Sequence, residues 1–422
     1  MTETRNRLAG NFISLSVVQG LSILFPLLIF PYLLRVLGVE GFGIFTLIQT
    51  FIMYFDLLVS FGFGLTATQQ IASKKDDRFA LDRIITGVYI IKLGLFAASL
   101  FVFILASLFI PYARENLMLL MVASLYLLGN LLLPDWFFQG IQKMKILTIA
   151  ALLSRAVSLI LIILLVKEKS DIVFAILAMG IGNILAGSTG LVALFKFHPY
   201  QWTFPGKEFL KQQFKESGYV FSSIILAPFY SSVNIFILQF FTNPLIVGYY
   251  AVAEKIFTAV SMFTAIVNRT FYPHLSQLWE TAFGVYKYTV RKIILGFAGA
   301  FLLIVLILFF GAEIILKLVA GSKSAADISQ MTTLLRILCF GLLYSPFVSF
   351  FFQLMVLQGQ KKETIPNIVI TVLVNLITSC LAAYYFGATG MAVNLCFIML
   401  LIAFLNFKGF SKGLQQRETV NL

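Results

Sequence analysis

Charged side chains recur inside the apolar runs of this chain: Asp56, Lys92, Asp135, Arg155, Glu254, Lys255, Arg269, Glu313 and Arg336. A charge at the centre of a membrane-spanning helix costs about 2.5–3.5 kcal/mol on insertion scales, so it is retained for pairing or for function. Asp135, Arg269, Glu313 and Arg336 lie near the ends of their runs, where the head group can reach the interface. Asp56, Lys92, Arg155, Glu254 and Lys255 lie deeper. Arginine and lysine suit phosphate, the first through a bidentate fork and the second as a point charge. A carboxylate set among apolar residues, as at Glu254 or Asp56, is suited to taking up and releasing a proton or a sodium ion.

The spacing of these residues adds detail. Glu254 and Lys255 are adjacent, so on a helix they diverge by about 100° and do not form a face-to-face pair. One is expected to face the central cavity and the other to turn toward a neighbouring helix or the cavity wall. Asp56 and Lys92 occupy successive runs joined by a short loop, which makes those helices antiparallel neighbours and the two residues a candidate structural pair. Arg155 has no partner nearby in sequence and is a cavity candidate. Polar residues also form stripes: Asn11, Gln19 and Ser22 with Pro26 in the first run, and Ser223, Ser231 and Asn234 with Tyr230 in the seventh. Cavity lining and helix–helix packing both account for such stripes.

These residues need elements to position them. The chain has 422 residues, 60% hydrophobic and 12% charged, with a mean hydropathy of +0.95. Soluble domains are about a quarter charged; this composition is that of a multi-pass membrane protein. About twelve segments of spanning length can be drawn, at roughly 11–36, 41–70, 84–110, 116–140, 146–166, 171–195, 217–242, 247–271, 292–317, 331–357, 365–386 and 389–408. No cleavable signal pattern precedes the first, which is expected to be a retained span. The net charge of +13 fits lysines and arginines held on the cytoplasmic side rather than nucleic-acid binding. Loops carrying Lys74, Lys75, Arg78, Lys143, Lys145, Lys361 and Lys362 alternate with loops poor in basic residues, which places both termini in the cytoplasm. Residues 196–216, with Trp202, Phe209 and Phe214 among lysines, read equally well as a segment on the inner leaflet or as a basic linker. Cys339, Cys380 and Cys396 have no ligand spacing, and His198 and His274 stand alone, so neither a metal nor a cofactor is expected.

The halves resemble each other. "WFFQGIQKMKILTIAALLSRAVSLI" at 136–160 aligns with "FQLMVLQGQKKETIPNIVITVLVNLI" at 352–377, setting Gln139–Gly140 on Gln358–Gly359. More weakly, "VEGFGIF" at 39–45 matches "IVGYYAV" at 246–252. The expected fold is all-α: two bundles of about six helices, 1–200 and 201–422, related by a parallel pseudo-two-fold around a central cavity. A basic linker opens the second bundle.

"PYLLRVLGVEGFGIF" at 31–45, "WFFQGIQKM" at 136–144 and "VGYYAVAEKI" at 247–256 resemble the Wzx-type polysaccharide flippases, in the polysaccharide-transporter branch of the multidrug/oligosaccharidyl-lipid/polysaccharide exporter superfamily. The resemblance covers essentially the whole chain and rests on the order and spacing of degenerate motifs. It departs at Gln142, where the family often has an acidic residue. It implies a V-shaped bacterial inner-membrane transporter that flips undecaprenyl-pyrophosphate-linked oligosaccharide repeat units, such as O-antigen units, to the periplasmic leaflet. The implied partners are this lipid-linked substrate, membrane lipids, H+ or Na+, and the polysaccharide polymerase and chain-length proteins. It adds Arg35 as an outer-gate cation to the cavity candidates Arg155, Lys255, Asn11, Gln19, Ser22 and Asn234, with Glu254 and Asp56 as candidates for ion coupling.

The nearest rival is a cation-coupled multidrug exporter of the same superfamily. Such members commonly carry an acidic residue in the first span, and this chain has none between Glu3 and Glu40. A membrane glycosyltransferase or polymerase would need carboxylates or histidines on sizeable outer loops, which are lacking; no nucleotide-binding glycine loop is present either. The chain is therefore expected not to be an enzyme.

Overall fold

Helices account for nearly all of the chain, as they must where a bilayer offers the backbone no hydrogen-bond partners. The computed structural model describes the backbone of residues 2–109, 111–321 and 324–420, and their side chains except at 2–19, 21–24, 111, 113, 226–231, 265, 266, 269, 361, 362 and 420. The order is α1 (Thr2–Ser60), α2 (Phe63–Ser73), α3 (Arg78–Phe109), α4 (Pro111–Glu115), α5 (Leu117–Leu132), α6 (Asp135–Gly140), α7 (Lys145–Leu165) and α8 (Ile172–Phe197). It continues with α9 (Lys207–Phe241), α10 (Pro244–Thr281), α11 (Phe283–Ala320), α12 (Ala325–Leu342), α13 (Ser345–Leu357) and α14 (Lys361–Val420). Among the described residues, nine helical stretches are long and apolar enough to cross a membrane. Two of the helices are each a pair meeting at a glycine of positive φ: α1 at Gly38 and α14 at Gly387.

The chain divides into two compact units, one of residues 1–37 and 45–228, the other of 38–44 and 229–422. In the first, α5 lies against α8 through small residues. A Cβ on Gly187 would collide with the Gly129 carbonyl, so the two backbones touch, the usual basis of helix association where no hydrophobic drive exists. An aromatic core of Phe61, Phe63, Trp136, Phe137 and Phe138 gathers where α2, α3 and α6 meet. The first half of α9 joins this unit: Phe61 stacks on Phe214 and Phe221, with centroids 4.6 and 5.2 Å away.

The second unit has its own aromatic core, including Trp279, Tyr286, Phe297, Phe350 and Phe351. Segment 38–44 belongs here because it presses directly on α10. A Cβ on Gly43 would overlap the Pro244 carbonyl, and one on Gly248 would overlap the Val39 carbonyl. The weak 39–45/246–252 match thus marks two segments that pack on each other.

The stronger repeat is visible as a shared turn. α6 closes with Lys143 N donating to Phe138 O (2.8 Å) and Gln142 N to Gln139 O (3.1 Å). α13 closes with Gln360 N donating to Met355 O (2.9 Å) and Gly359 N to Val356 O (3.1 Å). Both are Schellman closures, with a left-handed residue at Gln142 (φ 60) and at Gly359 (φ 76). In this turn Gln142 takes the place of Gly359, two residues beyond the Gly140 that sequence alignment put there.

Candidate functional site

The deepest polar cluster of the first unit forms between α1, α3, α5 and α6. Asn130 on α5 organises it. Its Nδ2 donates to Asp56 Oδ1 (2.7 Å), and its carbonyl accepts from Lys92 Nζ (2.7 Å). Ser60 Oγ lies 3.5 Å from Asn130 Oδ1. Asp56 and Lys92 are thus neighbours joined through Asn130. Lys92 is only 2% exposed and interacts with the charges of both Asp135 and Asp56. Asp135 opens α6, where its carboxylate accepts its own amide and that of Trp136.

Sequence reading set Asp135 aside as a residue near a run end and overlooked Asn130 entirely. The fold makes both central. Asn130 sits in an unbroken apolar run and gives no local signal. Asp135 follows Pro134, and the preceding bend (Leu133 at ψ 114) turns its short helix inward.

Arg155 on α7 acquires partners that its sequence neighbourhood lacks. It hydrogen-bonds the Tyr126 hydroxyl, sits 4.9 Å from the Phe25 ring centroid and interacts with the charge of Asp56. Arg35 is exposed. Asn11, Gln19 and Ser22 lie outside the residues whose side chains are described, as do Pro228, Tyr230, Ser231 and Arg269. Ser223 is exposed and donates to the Tyr219 carbonyl of its own helix.

In the second unit Asn234 is fully buried and accepts from Asn375 Nδ2 (3.0 Å), whose Oδ1 accepts from Asn394 Nδ2 (3.0 Å). Thr371 and Ser379 flank Asn375 along one face of α14, both buried. This neutral ladder is built as helix-packing glue. Glu254 and Lys255 on α10 are both half-buried and interact with each other's charge. Glu313 pairs with Lys317 (2.6 Å) in the open, and Arg336 Nε donates to Phe309 O, as expected of residues near run ends.

His198 is not alone. Its Nε2 meets Asp82 Oδ1 at 2.7 Å, and both residues are buried. The same segment is fastened by Arg78 to Pro199 O, by Arg83 to Pro205 O through two nitrogens, and by the Thr86–Tyr200 hydroxyl contact. Arg83 also lies over the Phe209 ring at 4.5 Å. Residues 198–206 are therefore a strap held on α3. Among the described residues no group of three histidine, cysteine or carboxylate side chains could hold a metal ion.

Comparison with known proteins places this architecture. Residues 8–279 match the family described as "Polysaccharide biosynthesis protein". A protein of Escherichia coli strain K12 named "Putative O-antigen transporter" is 33% identical over 329 residues, 76% of this chain and 77% of that protein. A protein of the same name from Shigella dysenteriae is 26% identical over 409 residues, covering 94% of this chain and 98% of its own. Among solved structures, the inward-facing conformation of a multidrug resistance MATE family transporter of the MOP superfamily covers 97% of this chain and 99% of its own. Its TM-score is 0.72 at 16% identity. The lipid II flippase MurJ in an inward closed conformation covers 96% of this chain and 89% of its own, with a TM-score of 0.70 at 15% identity. These structures are similar in fold.

Proposed function

Because the chain belongs to the polysaccharide biosynthesis protein family, we propose that it is a transporter, not an enzyme, that moves lipid-linked oligosaccharide across a bacterial inner membrane. The observation that carries this is the 33% identity over three quarters of the chain to a protein named as an O-antigen transporter. The MATE likeness, at 16% identity, is one of fold alone and does not favour a drug as cargo.

At finer grain, the cargo is an undecaprenyl-pyrophosphate-linked repeat unit, passed from the cytoplasmic to the periplasmic leaflet by alternating access, with both chain termini cytoplasmic. The lipid tail stays in the bilayer while the pyrophosphate and sugars need polar walls. Arg35, Arg155 and Lys255 supply cationic contacts, and Asn11, Gln19, Ser22 and Asn234 supply neutral ones. Glu254 and Asp56 couple transport to H+ or Na+. The basic residues of the repeated turn sequences, Lys143 and Lys145 in one and Lys361 and Lys362 in the other, support this orientation. The polysaccharide polymerase and chain-length proteins are the partners that would receive the product.

A deletion strain tests the function. It should accumulate lipid-linked repeat units on the cytoplasmic leaflet, and unchanged surface polysaccharide would refute the proposal. Coupling is tested by Glu254→Gln and Asp56→Asn in vesicles with and without an imposed ion gradient. A site whose neutralisation leaves gradient dependence intact is not the coupling site.

A further inference from the structure

α8 has 26 residues and the length and apolarity of a membrane span. At 1.5 Å per residue it is about 39 Å long, against about 30 Å for the hydrocarbon core of a bilayer. Centred on that core, it ends in the head-group zone, and the 198–206 strap begins there. The last turns of α8 keep an apolar outer surface, with Val192, Phe195 and Phe197 all exposed.

The polar groups of the strap are turned toward α3. Pro199 O and Pro205 O accept from Arg78 and Arg83, His198 meets Asp82, and the Tyr200 hydroxyl meets Thr86. Along 202–205 exposure alternates: Thr203 is half-buried and Pro205 buried, while Trp202 and Phe204 are 68% and 59% exposed. Residues two apart on an extended chain share a face, so two large aromatic side chains project together from the open side of the strap.

Cations flank these rings. Lys196 precedes the strap, and Lys207, Lys211 and Lys215 follow it, all exposed. The last three are spaced four residues apart on α9 and form one ridge. That ridge lies opposite the face that α9 buries through Gln213 and Ser217. Lys143 Nζ sits 3.8 Å from the Phe197 ring centroid, at the point where α8 gives way to the strap. Two carboxylates oppose the four lysines of residues 196–216. Glu216 accepts from Gln70 and Gln212, and Glu208 is exposed beside Lys207.

This combination decides what covers the surface. Bulk water suits the lysines and not the two rings; hydrocarbon suits the rings and not the lysines. The head-group zone suits both, because tryptophan settles at that depth and basic side chains there attract anionic lipid. The surface also continues the exposed turns of α8, which a bilayer must cover. We infer that the 198–206 strap and the start of α9 form a docking surface for anionic phospholipid. Trp202 and Phe204 lie at the head-group boundary, and Lys196, Lys207, Lys211 and Lys215 engage the phosphates. Of the two readings of residues 196–216, this is the leaflet one. The surface lies within the first unit and does not depend on transport; only the naming of its leaflet as cytoplasmic rests on the proposed orientation.

The full-length protein in nanodiscs tests this. Phosphatidylcholine and phosphatidylglycerol are mixed in equal amounts, and the acyl chains of only one of them carry bromine near the glycerol. Parent emission minus that of Trp202→Phe reports Trp202 alone and leaves the buried Trp136 and Trp279 in place. Both lipids should quench Trp202, brominated phosphatidylglycerol at least twofold more. Lys207→Gln with Lys211→Gln and Lys215→Gln should bring the two close to equality, as should about 1 M sodium chloride. Trp202 quenched by neither lipid would overturn the docking surface. Quenching by iodide in its place would make the segment a plain linker, and shielding from iodide would mean that protein covers it. Equal quenching in the parent would overturn the anionic preference, and a preference surviving the triple substitution would overturn its assignment to these lysines. A protein that docks in this way yet moves no lipid-linked oligosaccharide would refute the transport reading and leave the surface standing.

Discussion

Lys92→Met is the most discriminating perturbation of the buried cluster. Lys92 is 2% exposed and is the cation that interacts with both Asp135 and Asp56. Methionine keeps the length and apolar stem of lysine, so little packing is lost. What goes is a hydrogen bond to the Asn130 carbonyl (2.7 Å) and the charge opposing two carboxylates. Removing a directly paired partner from a buried charge costs about 3–5 kcal/mol; among the described residues no ion pair joins Lys92 to either carboxylate, so the loss lies between that figure and the average of about 0.6 kcal/mol for a hydrogen bond within a membrane protein. The single variant should therefore lose about 1–3 kcal/mol. Adding Asp135→Asn or Asp56→Asn should restore part of the loss, with a coupling of about 1–3 kcal/mol. Thermal unfolding of the parent and the three variants in one detergent reads these differences. A Lys92→Met protein within about 0.5 kcal/mol of the parent, or a double variant no better than the single, would show that the cluster is solvated and not an electrostatic unit.

Three further outcomes follow from the geometry. Gly248→Ala should destabilise by about 1–3 kcal/mol, because its Cβ would strike the backbone at Val39; Gly299→Ala, with nothing within 4 Å, should melt at or above the parent temperature. Gln142→Gly should stabilise by up to about 1 kcal/mol, since Gln142 holds a left-handed φ of 60 that glycine adopts freely; a lower melting temperature would show that the side chain earns its place. Asp82→Ala should loosen the 198–206 strap by removing the contact of Asp82 with His198, and hydrogen exchange should rise there and not in α14. Uniform exchange in both regions would contradict a local strap.

Much of this architecture is written in the residue order because a bilayer leaves the backbone few choices. Apolar length alone locates helices such as α7 and α8 to within a few residues. Short punctuating motifs such as "GIQKMK" and "GQKKE" locate the turns. What stayed hidden depends on contacts between residues far apart in sequence. Nothing near Asn130 announces that it bridges Asp56, 74 positions away, nor does anything near His198 point to Asp82, 116 positions away. The helix break after Ser60 shares this problem. "SFGFG" at 60–64 lies inside the apolar run drawn as one span over 41–70, and only the fold shows that α1 ends at Ser60 and α2 restarts at Phe63. Charge singled out Asp56 and Lys92 but gave neither the bridging Asn130 nor the place of Asp135 in the same cluster.

The central claim is that this chain carries lipid-linked oligosaccharide across the bilayer, and reconstitution tests it most directly. Purified protein is placed in proteoliposomes with a fluorescent undecaprenyl-pyrophosphate oligosaccharide, and a membrane-impermeant reagent scores which leaflet the head group occupies. The account predicts protein-dependent exchange between leaflets, reduced at least tenfold by Arg155→Ala and Lys255→Ala in well-folded protein. Exchange no faster than in protein-free liposomes, under every imposed ion gradient, would contradict it.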